Sequence, residues 1–276
     1  MDTKLKADSM DTALKANTKI KEKRNFSNKK LSVLSFVILI ALWSSLSYSG
    51  LVQKVFLPTP GAVIGAFMDM YWNNILLSYS LASIYRVMVG WVFAVIAAVP
   101  LGLLIATSKK AEALFEPAVD FARYLPVVAL VPLTLLYFGI GDLQKFVIIF
   151  LGTFFQLVLM VADVVSGVQK DLLRASSTLG ASKWQTYRMV LIPASLPGIM
   201  DSFRITVGWA WTYLVVAELV AANSGLGYMV LKAQRFLATD QIFAGLILIG
   251  VIGLITDCLF KWLTGLLVPW REKVGG

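Results

Sequence analysis

Long apolar runs separated by short polar segments organise this chain. Four charge-free runs, at residues 31–53, 87–108, 124–141 and 146–162, approach the ~20 mostly apolar residues that a helix needs to cross a bilayer core. Residues 197–222 and 241–268 are also apolar but carry charges inside or near their ends. Counting both, the pattern predicts an all-α membrane protein, a six-span helical bundle. The polar segments divide it into a basic tail at 1–30, a membrane domain at 31–270 containing a polar loop at 166–193, and a short tail at 271–276.

The third run is irregular. Pro126 and Pro132 each remove a backbone donor and displace the preceding turn. In lipid the freed carbonyls must be met by protein or by a water-filled cavity, so this helix either lines a pathway inside the bundle or is simply kinked. Ahead of the second run, Leu57-Pro58-Thr59-Pro60 predicts an extended segment followed by a helix, with Thr59 as cap and Pro60 in the first helical position. Val63, Phe67, Met70 and Tyr71 share one face of that helix, which suits the outer interface of a membrane or a short packing helix.

Charges inside apolar runs need an explanation. Arg86 opens the second run beside Tyr85, and its long stem would let the guanidinium reach the headgroups, a structural role. Glu218 interrupts the fifth. A lone intramembrane carboxylate is costly, so it must face protein or water and have a partner, at a gate, at a subunit contact or in a hydrogen-bonded structural role beside the pathway. It would repel an anion and is not expected to bind one. Arg123 and Arg204 are candidates for an electropositive pathway lining, or snorkel from the cytoplasmic ends of their spans. Asp257 and Lys261, four apart on the last helix, are expected to pair.

Residues 166–193 turn amphipathic. Val168, Leu172, Ala175 and Leu179 fall on one helical stripe, with Lys170, Asp171 and Arg174 elsewhere. Gly180 can adopt positive φ and end that helix. Ser182-Lys183-Trp184-Gln185 then has the form of a capping box that starts a second, whose apolar face holds Trp184, Tyr187 and Leu191. Pro193 and Pro197 are expected to close the unit. Two helices meeting at a glycine exceed what a connection between spans requires. An aromatic and basic knob of this kind suits a groove on a partner, and suits equally an interfacial helix with Trp184 and Tyr187 among the headgroups.

Composition narrows the chemistry. The 276 residues are 58% hydrophobic and 15% charged, too apolar for a soluble domain of that length. There is no histidine, which removes imidazole metal sites, imidazole proton relays and any Ser-His-Asp arrangement. With Cys258 as the single cysteine, neither an intramolecular disulfide nor a thiolate cluster can form. No metal site and no catalytic group is therefore expected. The net charge is +9, and 18 of the 25 Lys and Arg lie in residues 1–30, which hold nine, and in the segments at 108–116, 163–196 and from Lys261. That asymmetry places both termini in the cytoplasm. The basic residues are spread over short loops beside spans, so the partner they imply is membrane lipid and not nucleic acid. Residues 1–30 lack the apolar content for a core and read as disordered, and a cleavable signal fits poorly because the apolar run after them is of spanning length.

The spacing Arg174-Ala175-Ser176, then Gly180, then Val190-Leu191-Ile192-Pro193 resembles the cytoplasmic loop of permease subunits of ATP-binding-cassette importers. That loop runs Glu-Ala-Ala, three residues, Gly, nine residues, Ile-x-Leu-Pro, so Arg174 stands where the family has glutamate. Phe56 to Pro60, Ser83 to Gly90, Leu130 to Leu133 with Phe138 to Gly141, Leu179 to Trp184, and Val216 to Leu219 with Gly225 to Tyr228 look like permeases of the nitrate, sulfonate, taurine and bicarbonate group.

The resemblance implies a bacterial inner-membrane, multi-pass subunit. It implies a second copy of the same chain, two ATPase subunits below and a periplasmic or lipid-anchored solute-binding protein above. Residues 181–191 would be the coupling helix. Arg174, Ala175, Gly180, Ser182, Trp184, Tyr187 and Pro193 would form the docking element, and Arg123, Pro126, Pro132, Arg204 and Glu218 would belong to the pathway. The solute would be a small anion or zwitterion. The chain has no Gly-x-x-x-x-Gly-Lys-Ser/Thr phosphate loop, so ATP and Mg belong on the partner ATPase. The competing reading is a stand-alone channel or ion-coupled carrier. Paired broken helices would favour the carrier, and only one run is clearly broken.

Overall fold

The computed structural model describes residue 31 and residues 33–270, and every regular element among them is helical. The tails expected at 1–30 and 271–276 lie outside the described residues.

The described residues divide into two compact units, one ending at Ile64 and the other beginning at Gly65. In the first, the apolar helix α1 (Val33–Tyr48) is followed by an irregular stretch in which the Trp43 indole donates to the Pro58 carbonyl at 3.0 Å. Helix α2 (Pro60–Trp72) begins where its proline predicts, with Thr59 Oγ1 accepting from the Ala62 N–H at 3.2 Å. Val63 and Met70 on its expected face are buried while Tyr71 is exposed.

The larger unit holds α3 (Ile75–Thr107), α4 (Lys109–Arg123), a 3-10 turn (Val127–Leu130), α5 (Val131–Phe138) and α6 (Asp142–Ser166). After these come α7 (Lys170–Thr178), α8 (Lys183–Thr186), a π turn (Tyr187–Leu191), α9 (Ile192–Ala221), α10 (Leu226–Arg235) and α11 (Thr239–Leu267).

Four of these helical stretches are long and apolar enough to cross a membrane: Ile75–Thr107, Asp142–Ser166, Lys183–Val220 and Thr239–Leu267. Joining Lys109–Arg123 to Val127–Phe138, two arms bent by 83°, would make a fifth. The expectation of six spans is therefore corrected. Residues 31–53 fail because the apolar helix Val33–Tyr48 is shorter than the ~20 residues a span needs. The third run, 124–141, fails as a straight span because Pro126 is extended, at φ −70 and ψ 99, so the run's helical stretch is only Val127–Phe138, and the arm before it is the charged helix Lys109–Arg123. Pro132 lies in the first turn of α5, where its missing donor costs nothing, so it starts a helix instead of kinking one.

Close packing of α3 on α6 organises the core. Gly90, Ala94, Ala98 and Gly102 recur every fourth residue along one stripe of α3, and all four are buried. A Cβ on Gly90 would lie 2.8 Å from Ile149 Cβ, and one on Gly102 would lie 2.8 Å from Val161 Cβ, so small residues here let the two backbones approach. Helix α6 packs on α9 as well. Leu157, Val158 and Val161 are fully buried in a cluster with Ile105, Leu191 and Ile199.

Pro193 and Pro197 do not end the unit before the next span, as expected. The helix runs on through both, from Lys183 to Val220. Pro193 occupies the first turn of α9, just after the π turn. Pro197 has no N–H to offer the carbonyl four residues back, that of Pro193, and the Trp270 indole donates to that oxygen instead at 3.3 Å.

Candidate functional site: an exposed elbow, a charged knot and a cavity between them

Helix α7 ends at Thr178 with Leu179 as its cap, and Gly180 turns the chain at φ +80. The Gly180 N–H donates to the Ser177 carbonyl at 3.0 Å, and that of Ala181 to the Ser176 carbonyl at 3.1 Å. The capping box forms in full: Ser182 Oγ accepts from the Gln185 N–H at 3.3 Å, and the Ser182 N–H donates to Gln185 Oε1 at 2.8 Å. The Ser176 and Thr186 hydroxyls, 3.0 Å apart, tie α7 to α8. Trp184 stacks on Tyr187 with ring centroids 5.8 Å apart and planes 13° from parallel.

The apolar stripe read along 168–179 divides: Val168, just ahead of α7, packs against the core cluster, and the rest faces out. Leu172, Ala175 and Leu179 are exposed, whereas Leu173 and Ser176 turn toward the core. The helix begins only at Lys170, and its inner face is selected by the Ser176 to Thr186 contact, which periodicity cannot register. Leu179, 87% exposed, and Trp184, 67% exposed, stand with Met189 on the open side of the elbow. Arg174 is exposed too and pairs with Asp171 at 3.4 Å. Behind Trp184 and Tyr187 a groove of about 510 Å³ runs along Pro100, Leu103 and Leu104 of α3.

At the other end of α3 the charges are buried. Glu218, with no exposed surface, accepts from Arg86 Nη1 at 2.7 Å, from Ser83 Oγ at 3.0 Å and from the Gly227 N–H at 2.9 Å. Arg86 also donates through Nε to Asp142 at 2.7 Å, and through Nη1 and Nη2 to the carbonyl and hydroxyl of Ser224 at 2.7 and 2.8 Å. Ser83 Oγ accepts from the Leu226 N–H at 2.9 Å, and the buried Lys145 donates to the Gly141 carbonyl at 2.9 Å. The expectation that Arg86 reaches toward headgroups is overturned: the carboxylate 132 residues away provides its ion pair. Gly225, at φ +109, is required here, because a Cβ would strike the Glu218 carboxylate. The knot thus joins α3, α6, α9 and the first turn of α10, where free N–H groups favour an anion.

Between the two ends lies a cavity of about 310 Å³, lined by Arg123 from the end of α4, Gln156 from the middle of α6, and Trp209, Thr212 and Tyr213 from α9. Arg123 donates through Nε to Asp120 at 2.8 Å and through Nη2 to the Tyr124 hydroxyl at 2.9 Å. The two arginines read as a possible pathway lining therefore part company. Arg123 reaches the cavity, whereas Arg204 is held by Asp257 on α11. Asp257 pairs with Lys261 as expected, at 2.7 Å, and is shared between the two cations. Pro126 immediately precedes the turn that brings Val127 to the cavity, Pro132 lies one element on, and Glu218 belongs to the knot. Sequence reasoning missed Asp142, Lys145, Ser224 and the backbone of Gly227, and the one local signal was two further charges at the start of an apolar run. Among the described residues no three His, Cys, Asp or Glu side chains gather as a metal site would need.

A model of binding-protein-dependent transport system inner membrane components matches residues 98–272. The chain is 32% identical over 249 residues to the taurine transport system permease protein TauC of Escherichia coli (strain K12), covering 88% of this chain and 90% of that protein. It is 33% identical over 239 residues to a protein of Bacillus subtilis (strain 168) named as an aliphatic sulfonates transport permease, SsuC, covering 87% of each. Among solved structures it resembles inward-facing conformations of the MetNI methionine ABC transporter, with a TM-score of 0.62 at 22% identity over 71% of this chain and 96% of that one. At that identity the likeness is one of fold.

Proposed function

The chain belongs to the family of binding-protein-dependent transport system inner membrane components, and from that premise we propose that it is the membrane subunit of an ATP-driven importer of a small anion or zwitterion, in the sulfonate and taurine, nitrate or bicarbonate class. Its partners in this reading are two ATPase subunits, which carry ATP and Mg, a second copy of the chain, and a solute-binding protein on the outer side. Residues 31–270 form the permease domain, with both termini in the cytoplasm, and residues 166–193 are the lever through which the ATPase acts.

The observation that carries this reading is the open elbow. Gly180 and the Ser182 capping box set α8 at a fixed angle, and α8 passes through the π turn into α9 without a loop. A push on Trp184 is therefore delivered to a helix that crosses the membrane. The apolar surface of Leu172, Leu179, Trp184 and Met189 is unlike a connection facing water and has the aromatic centre of a protein contact. Arg174 and Ala175 lie on the same exposed helix, and Pro193 opens the first turn of the span that the lever moves.

Gly180 offers the test. A side chain there meets no neighbour but is forced into left-handed backbone, so Gly180→Val alters the elbow and leaves the packing alone. Membranes carrying Gly180→Val are expected to retain the chain, to lose the ATPase on copurification, and to import the solute at under a tenth of the normal rate. Full ATPase retention with normal import would contradict the docking role.

A further inference from the structure

We propose that the cavity beside Arg123 is a solute site within the permease itself, and that it selects an organic anion with an apolar tail, of the sulfonate type, over an inorganic oxyanion. The inference rests on the importer reading and narrows its solute class.

The first support is location. The cavity borders the middle of α6 and abuts the place where α4 ends and the chain bends by 83°. Helix breaks inside membrane proteins persist where the backbone lines a cavity, because lipid cannot meet the freed polar groups. The second is polarity. Arg123, Gln156 and Thr212 bring a cation, an amide and a hydroxyl to the lining, with the Arg123 guanidinium held by Asp120 at 2.8 Å and lying over the Tyr124 ring at 4.6 Å. Polar groups on an open face of membrane-crossing helices call for water or solute beside them.

The third is shape. Phe155, Trp209 and Tyr213 supply three aromatic rings to the same small space. A Cβ on Gly152 would collide with the Tyr213 ring, so that glycine is what lets the ring lie against α6. A volume of about 310 Å³ sits at the lower edge of the ~300–1,000 Å³ typical of organic-ligand pockets. Nitrate or bicarbonate could use the polar rim but has nothing to lay on the rings, whereas an alkanesulfonate uses both.

Uptake tests the idea in cells whose chromosomal copy carries Trp209→Ala or Gln156→Leu. Radiolabelled butanesulfonate and hexanesulfonate are the probes, nitrate is the inorganic comparison, and copurifying ATPase reports assembly. Sulfonate uptake should fall tenfold or more in both variants while the ATPase is retained. Assembled variants that import both sulfonates at the normal rate would overturn the site, as would parent cells that import nitrate alone. Should either variant fail to assemble, calorimetric titration of the purified full chain with butanesulfonate decides: saturable binding weakened at least tenfold by Arg123→Gln supports the site, and no saturable binding to the unaltered chain overturns it. Parent cells importing none of the three anions would overturn the sulfonate site, whereas a chain that copurifies with no ATPase subunit would refute the importer reading itself.

Discussion

Glu218 and Trp184 lie toward opposite ends of α3 and are treated in opposite ways. The carboxylate has no exposed surface and takes hydrogen bonds from an arginine, a serine and a backbone amide, whereas the indole is 67% exposed and stacks on one tyrosine. Chemistry alone would reverse the arrangement, since charge belongs in water and an aromatic ring in a core. A charge buried among membrane helices is tolerated only when its partners are all supplied, and those partners then fix the helices that carry them. An aromatic ring left in the open at the end of a rigid helix does the converse, remaining available for something that arrives. The knot holds and the elbow receives.

The difference can be broken most severely at the knot. Arg86→Ala strands a buried carboxylate and is expected to cost about 3–5 kcal/mol, seen as a lower unfolding temperature of the purified chain. Replacing both partners with leucine should restore much of that loss. Full additivity of the two single changes would show that the pair is not coupled. A smaller effect is expected from Gly225→Ala, which forces a Cβ toward the Glu218 carboxylate at a positive φ and should cost about 1–3 kcal/mol by the same measurement.

The elbow should respond in the opposite sense. Trp184→Ala is expected to change stability by no more than about 0.5 kcal/mol, as an exposed residue should, while sharply reducing the ATPase that copurifies. Last in size, Trp270→Phe removes the donor to the Pro193 carbonyl and should cost about 1 kcal/mol, with transport slowed only if the start of α9 loosens.

The halves of this comparison were unequally legible in the sequence. The elbow is local: its glycine turn and its Ser182 to Gln185 capping box follow from spacing, and both formed as read. The facing of α7 was not legible there, because a helical period defines stripes without saying which one meets the core. The knot is non-local. Arg86 and Glu218 were each visible as charges in apolar runs, but nothing in either neighbourhood announces a partner 132 residues away. The span count failed for a related reason. Length and apolarity were read along a straight helix, whereas the run at 124–141 holds only the arm Val127–Phe138, and its companion arm is the charged helix Lys109–Arg123 that precedes the run.

The central claim is that the exposed aromatic surface of the elbow touches the ATPase. A photoreactive phenylalanine analogue at position 184, irradiated in native membranes, measures that contact directly, with the same analogue at Phe236, exposed at the end of α10, as the comparison. Position 184 should form an adduct with the ATPase subunit and position 236 should not. An adduct at 184 with lipid alone, or ATPase adducts of equal yield at both positions, would contradict the account.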